Sequence, residues 1–492
     1  MLLTGFCLSR LMAESGKPNI IWIMAEDMGT DLECYGTAGV KTPNLNKIAS
    51  QGVLYERAYC PSPICSPNRS SMMVGVDQTV IDAHHHRSNR DVPLKDPYKP
   101  ITSLLRDAGY NCLLGHDEVM RKGTKTDCNF KHKALGSWDG KKNFGLFDEI
   151  GSFSAADQPF FNQIQLIVTH RGDWWNGVRK ASKHPVSLDE IKLPPYFADT
   201  PEIRYDWACY LDQVEYMDNE VGMLMESLKE QKLDQNTVVI FIADNGRCNL
   251  RGKGYLHQPG IHIPMIIWAP GLVKAGTVVK DLVSTTDISA TVLSLAGAEI
   301  PDYITARPLI GIEQPEYRQY VRSARDIWDE IDECSRSITT ADFKYIRNHM
   351  PEVPWATDQA YLEINRPALH VMRRLKQKGN MSARELTFFA DQKPIEELYD
   401  LGKDPDELNN LAENSEYAPV LKTMRAHEAE WQMENHDLGL ADFERRKPEK
   451  WLAAERARAG IKKNEPELWK RLEAGELMET QTWMKKYKSL KK

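Results

Sequence analysis

The sequence predicts an α/β fold, a large, mainly parallel sheet between helices followed by a smaller antiparallel sheet subdomain. Three observations predict it. Asn19–Ala25 (NIIWIMA), Ile164–Thr169 (IQLIVT) and Thr237–Ala243 (TVVIFIA) are continuous apolar runs rich in β-branched residues, the pattern of strands covered by helices on both faces. Near Glu202–Lys232, Tyr210, Val214, Met217, Val221, Met225 and Leu228 recur every three or four residues, the core-facing stripe of a long helix. Past Pro301 the pattern changes to short pieces such as Phe343–Arg347 (FKYIR) and Glu397–Leu401 (ELYDL), which read as antiparallel strands.

In chain order, residues 1–16 form a weakly apolar leader interrupted by Arg10, with no basic segment before it. It reads either as the remnant of a signal peptide, which implies a periplasmic or secreted protein, or as a disordered leader. Residues 17–302 carry the main sheet and end in a helix over Val283–Ala296. Residues 303–430 form the α+β subdomain, and 431–492 form a charged helical tail whose lone tryptophans read as peripheral or interfacial.

Composition excludes several classes. A net charge of -7 over 492 residues is no nucleic-acid footprint, and it offers no general attraction to polyanions. An anionic substrate therefore needs a local basic pocket. The nine cysteines contain no CxxC pair, which argues against zinc and against a dense disulfide framework. No run reaches the roughly 18 apolar residues of a membrane span.

The candidate chemistry gathers at strand ends, where open α/β sheets place their sites. The three apolar runs end in Glu26-Asp27, in His170 and in Asp244-Asn245. Four hard oxygen donors without thiolate or imidazole favour Ca²⁺ or Mg²⁺ over zinc. In Cys65-Ser66-Pro67-Asn68-Arg69, Ser66 suits an N-cap and Pro67 a first turn, so Cys65 belongs at an anion-attracting helix N-terminus with Arg69 one turn on. Alone, such a pentapeptide is more often a buried structural cysteine before a capped helix; the strand-end acids shift that balance. His84-His85-His86-Arg87 follows, a run suited to a substrate contact, to proton transfer or to a solvated surface.

These residues resemble a known family. C-x-P-x-R at Cys65–Arg69 is similar to the sulfatase signature, whose cysteine a maturase oxidises to formylglycine. KPNIIWIMAEDMG at Lys17–Gly29 resembles the opening strand with its metal-binding acids, and ADNG at Ala243–Gly246 the second metal motif. RGKGYLHQPGIHIP at Arg251–Pro264 resembles the loop bearing a sulfate-binding lysine, and EELYDLGKDPDELNNLA at Glu396–Ala412 the C-terminal subdomain. The resemblance implies an alkaline-phosphatase-like fold and one Ca²⁺ held by Glu26, Asp27, Asp244, Asn245 and the group at Cys65. Glu26-Asp27 departs from the usual Asp-Asp pair. It further implies sulfate contacts from Lys253 and His170. Lys125-Thr126-Asp127 is the best match to the family's Lys-x-His, with Asp127 replacing the histidine and His116 as competitor. His84, His85 and Arg87 resemble a pocket segment of the polysaccharide-directed, heparan N-sulfatase-like subgroup, and Arg325 a rim contact. The implied activity is hydrolysis of a sulfated saccharide. Its alternatives are a phosphonate monoester or phosphodiester hydrolase and a noncatalytic sulfated-glycan-binding protein.

Overall fold

The computed structural model of the protein describes residues 16–140, 145–172, 174–311, 317–441, 443 and 449–476, so the expected leader lies almost wholly outside the described residues. The strands are β1 (Asn19–Ala25), β2 (Val53–Tyr59), β3 (Asn111–Leu114), β4 (Lys133–Leu135), β5 (Gly145–Phe147), β6 (Glu149–Ile150), β7 (Phe160–Leu166), β8 (Thr237–Ala243), β9 (His262–Trp268), β10 (Thr277–Ser284), β11 (Val321–Arg325), β12 (Ser335–Thr339), β13 (Phe343–Asn348) and β14 (Glu396–Asp400). Eight of them form one sheet in the order β10-β2-β9-β8-β1-β7-β3-β6, in which only β9 runs against its neighbours. The four strands β11 to β14 form an antiparallel sheet, as the sequence pattern predicts.

The centre of the large sheet positions the site. Strand β1 lies between β7 and β8, all parallel, with Ala25 level with Leu166 and with Ala243. The residues that follow these three strands are therefore delivered to one edge of the sheet. Every residue of β1, β7 and β8 is buried, so a polar residue in them needs an internal partner.

That need explains one misread boundary. The expected strand Ile164–Thr169 is in fact Phe160–Leu166, and His170 closes a turn by donating its backbone N–H to Ile167 (3.0 Å). Asn162, Gln163 and Gln165 are buried strand residues, and the Gln165 amide donates to the Met24 carbonyl at 2.6 Å. Apolarity alone pointed past them. The expected helix Val283–Ala296 also divides: β10 runs to Ser284 and the helix spans Asp287–Ala296. The Asp287 carboxylate accepts from the backbone N–H groups of Ser284 and Arg307, both at 2.8 Å, and so fixes the break.

The long helix spans Pro201–Glu230; Thr200 caps it by accepting from the Ile203 N–H at 3.3 Å, and Pro201 occupies its first position. Its predicted stripe is buried, with Met225 partly so. The tail departs from expectation. Trp431 and Trp469 are buried rather than peripheral; Trp431 donates to Asp77 (3.2 Å), and Trp469 packs with Ile364, Ile461 and Leu472. No described helix is long and apolar enough to cross a membrane.

Arg171 locks the turn after β7 to the long helix. Its guanidinium forks onto Asp206, one contact at 2.9 Å, and lies over the Trp175 ring at 4.4 Å. Both charges are buried, so Arg171→Met strands Asp206 and should lower unfolding stability by about 3–5 kcal/mol. Denaturant titration checks this; a loss under about 1 kcal/mol contradicts the lock.

Candidate active site

The strand-end residues converge. Oxygen atoms of Glu26, Asp27 and Asp244 and the sulfur of Cys65 all lie within 4.8 Å of one another, and all four residues are buried. Asp27 reaches this position with φ 47°, a left-handed conformation that a non-glycine residue adopts only when its surroundings impose it. Here they do: the Asp27 N–H donates to Asp244 Oδ1 (3.0 Å), and its carbonyl accepts from Cys248 N–H (3.0 Å).

Cys65 opens the Cys65–Val74 helix, as expected, but Ser66 is not its cap. Ile64 holds the cap position and makes no side-chain bond, while Ser66 Oγ accepts from the Arg87 backbone N–H at 2.9 Å. The serine thus ties the nucleophile helix to the His84–Arg87 run. Asn68, one turn in, donates to the Asp244 carbonyl and accepts from Thr285 Oγ1 (2.9 Å).

Three cations compensate the acids. Arg69 spans the floor, 3.0 Å from Glu26 Oε1 and 3.0 Å from Asp244 Oδ2, and is braced by Gln165. Lys253 Nζ lies 2.7 and 2.9 Å from the two Asp27 oxygens and 2.9 Å from Cys65 Sγ. Its loop passes beneath Trp328 at Gly254, where φ is +90° and a Cβ would sit 1.9 Å from the indole. Lys125 Nζ lies 2.7 Å from Glu26 Oε2 and 3.3 Å from Asp127 Oδ2. His170 Nε2 lies 3.7 Å from Asp27 Oδ2 with its side chain 23 % exposed, at the mouth.

Burial opposes ionisation of the carboxylates, but the cations outweigh it at two of them. Lys253 and His170 hold Asp27 below the usual range, and Lys125 with Arg69 holds Glu26 below it. At Asp244 burial wins over Arg69 and the group rises to about 6. Burial, then Asp244, pushes the Cys65 thiol far up, which disfavours the thiolate. Burial also lowers His170 to about 4 despite Asp27.

The remaining sequence candidates divide. His116 is buried against Phe153, with ring centroids 4.8 Å apart, and burial lowers it to about 4. Its described contacts include none of the cage residues, whereas Lys125 sits among them. His84 and His85 are buried with their rings tilted against each other, centroids 4.2 Å apart; His85 meets Phe443 and accepts from the Ile327 N–H at 3.3 Å. His85 thereby packs against the C-terminal half. Arg87, beside them, pairs with Asp127. Arg325 is no rim residue: it is 3 % exposed, lies over Tyr255 at 4.6 Å and faces Glu333 at 3.7 Å. Its position at the end of β11 turns it inward. Sequence reasoning missed Gln165, Asn68 and Arg90; only the cluster of amide side chains within a buried strand was a visible signal.

The donor set suits a hard cation. Asn245 donates through Nδ2 to Asp27 Oδ1 (3.1 Å) and to the Gly246 carbonyl (2.9 Å), while its Oδ1 is buried without a hydrogen-bond partner beside the acids. An amide oxygen left bare next to three carboxylates is a metal donor in waiting, and the geometry fits an oxygen-liganded ion such as Ca²⁺.

Sheet and cage together define a class, an α/β protein with a buried, metal-suited charge cluster at the carboxyl edge of a mixed sheet. Sequence comparison sets the family: residues 18–298 match the Sulfatase family, and the chain belongs to it. Residues 246–356 also match the C-terminal region of N-sulphoglucosamine sulphohydrolase. The chain is 30 % identical over 459 residues to an ulvan-active sulfatase of Formosa agariphila, covering 84 % of itself and 74 % of that protein. It is 25 % identical to human N-sulphoglucosamine sulphohydrolase over 496 residues, covering 89 % and 93 %. A solved 2-O GAG sulfatase shares the fold with a TM-score of 0.60 at 18 % identity, covering 86 % of this chain and 93 % of that one.

A cation that binds only the folded cage must stabilise it. Saturating Ca²⁺ should raise the unfolding temperature of the protein, by the equivalent of about 2.7 kcal/mol at a hundredfold excess over Kd. Asp244→Asn should abolish the rise. A shift that persists in this variant places the ion elsewhere.

Proposed function

We propose that the protein hydrolyses sulfate esters or sulfamates of a sulfated saccharide, with Cys65 converted by a maturase to formylglycine and one Ca²⁺ in the cage. The observation that carries this reading is the placement of Cys65 Sγ 2.9 Å from Lys253 and 3.6 Å from Asp27, inside a set of hard oxygen donors. Glu26, Asp27, Asp244 and Asn245 would hold the ion, whose charge polarises a sulfate oxygen and lowers the pKa of a bound hydroxyl. A formylglycine hydrate supplies the oxygen nucleophile that the high-pKa thiol does not.

The chain's own residues complete the chemistry. Lys253 and Lys125 flank the Cys65 position and would bind the two remaining classes of charge, sulfate oxygens and developing negative charge in the transition state. Arg69, held between Glu26 and Asp244, fixes the two acids relative to each other. Burial disfavours the His170 imidazolium, whereas an anionic ester beside it would favour that form, which can then donate to the departing oxygen. The saccharide class rests on what the relatives are named for: ulvan in one and N-sulphoglucosamine in the other. We place the protein in the periplasm or outside the cell, as the weakly apolar start of the sequence suggests. Comparing an aryl sulfate with an aryl phosphonate separates this reading from a phosphonate monoester or phosphodiester hydrolase, which needs the same kind of cage.

Two outcomes are expected. Mass spectrometry of the peptide containing residue 65, from protein co-produced with a maturase, should show an aldehyde; a fully active enzyme whose peptide retains the thiol sinks the mechanism, and a thiol-bearing inactive protein that binds sulfated glycans would be the noncatalytic alternative. In the matured enzyme, Lys125→Ala should lower kcat/KM for an aryl sulfate by about a hundredfold or more, because a charge-assisted contact in a closed site is lost. His116→Ala should be mild. The reverse order would show that Lys125 is not the sulfate clamp.

A further inference from the structure

Beyond the cage, a second group of charges surrounds Asp127. This carboxylate is 6 % exposed and is shared by three cations. Lys125 lies 3.3 Å from Oδ2, Arg87 lies 3.4 Å from each oxygen, and Arg90 contacts Oδ1. Lys125 is engaged more closely by Glu26, at 2.7 Å. One carboxylate is thus left to serve two guanidiniums. Asp329, which also faces Arg87, is held by His86 Nδ1 at 2.9 Å. Among the described residues Arg90 has no other acidic partner.

Both arginines keep part of their side chains in solvent, 27 % for Arg87 and 38 % for Arg90. They are not free to swing. Trp451, from the C-terminal tail, places its ring centroid 5.2 Å from the Arg87 guanidinium carbon and 5.8 Å from that of Arg90. Lys450 pins this segment by pairing with Asp332 at 2.9 Å and donating to the Glu330 carbonyl at 3.0 Å. Guanidinium is a planar fork that engages carboxylate or sulfate through paired N–H groups, and two of them cost conformational entropy to hold in one place. A neutral sugar hydroxyl does not call for such an arrangement. Asp127 stands between the arginines and Lys125, so an anion bound here is distinct from the sulfate at Cys65.

We infer that Arg90, with Arg87, binds a second anionic group of the substrate, a carboxylate or a further sulfate beside the one removed, and that Trp451 is the positioning residue for both guanidiniums. This rests on the proposed saccharide reading of the same site.

The test measures binding without turnover. A Cys65→Ser protein loaded with Ca²⁺ is titrated calorimetrically, at fixed ionic strength, with a monosulfated neutral sugar and with the same sugar bearing an added carboxylate or an added sulfate. At least one two-anion ligand should bind about tenfold or more tightly than the one-anion ligand. Arg90→Gln should erase that preference, Arg90→Lys should restore part of it, and Trp451→Ala should weaken it several-fold while leaving the one-anion ligand unaffected. The carboxylate and sulfate arms identify the group recognised. No preference in the starting protein, a preference that survives Arg90→Gln, or equal weakening of both ligands by that variant overturns the inference. Failure of the matured enzyme to desulfate any saccharide would instead count against the proposed function, and the binding comparison would still be readable.

Discussion

Mutual compensation of buried charge is the constraint on which the rest of this structure depends. Glu26, Asp27 and Asp244 are wholly buried, and an isolated carboxylate there would cost several kcal/mol. Arg69, Lys253 and Lys125 reach them from a helix, a loop and a separate segment, so neither acids nor cations are tolerable without the other. The parallel pairing of β1 with β8 brings the acids together. The Cys65–Val74 helix then directs Arg69 between Glu26 and Asp244. Strain at Asp27 is sustained by the same network, through its N–H on Asp244.

The C-terminal half is part of this balance rather than an appendage. Arg366 donates to the Lys253 carbonyl at 3.0 Å, so a residue far along the chain sets the height of the lysine loop. Lys344 and Glu407 form a fully buried pair at 2.8 Å, and Arg251 donates to the Asp406 carbonyl (2.6 Å) and to that of Glu407. These contacts join the antiparallel sheet and its following loop to the segment that carries Lys253. Loss of docking would therefore be felt first at the site.

Two tiers of charge result. The inner tier is buried and matched, with hard oxygens and an amide oxygen that has no hydrogen-bond partner. The outer tier is partly exposed and carries guanidiniums that a single carboxylate does not saturate. Lys125 belongs to both. Such a gradient concentrates cationic groups in one region of a mildly acidic protein, which a uniform surface field would not do.

The sequence by itself determined the fold class, the exact extents of β1 and β8, the long helix and the acids that end those strands, because continuous apolar runs and helical periodicity report local burial directly. The resemblance to the sulfatase motifs likewise pointed to Cys65, Arg69 and Lys253. What only the tertiary structure decided was partnership. Strand β7 was shifted because its glutamines are satisfied from other segments, Gln165 by Met24 and Arg69 and Gln163 by the Lys125 carbonyl. Arg325, expected at a rim, points inward, and Ser66, expected as a cap, binds Arg87. The tail tryptophans, expected at the periphery, bury themselves or brace Arg87 and Arg90. Lys125 and His116 were separable only once the chain had folded. A residue's type and spacing state what it needs, a counter-charge or a donor, but the group that meets the need is chosen by strand order and by segments that approach from elsewhere in the chain.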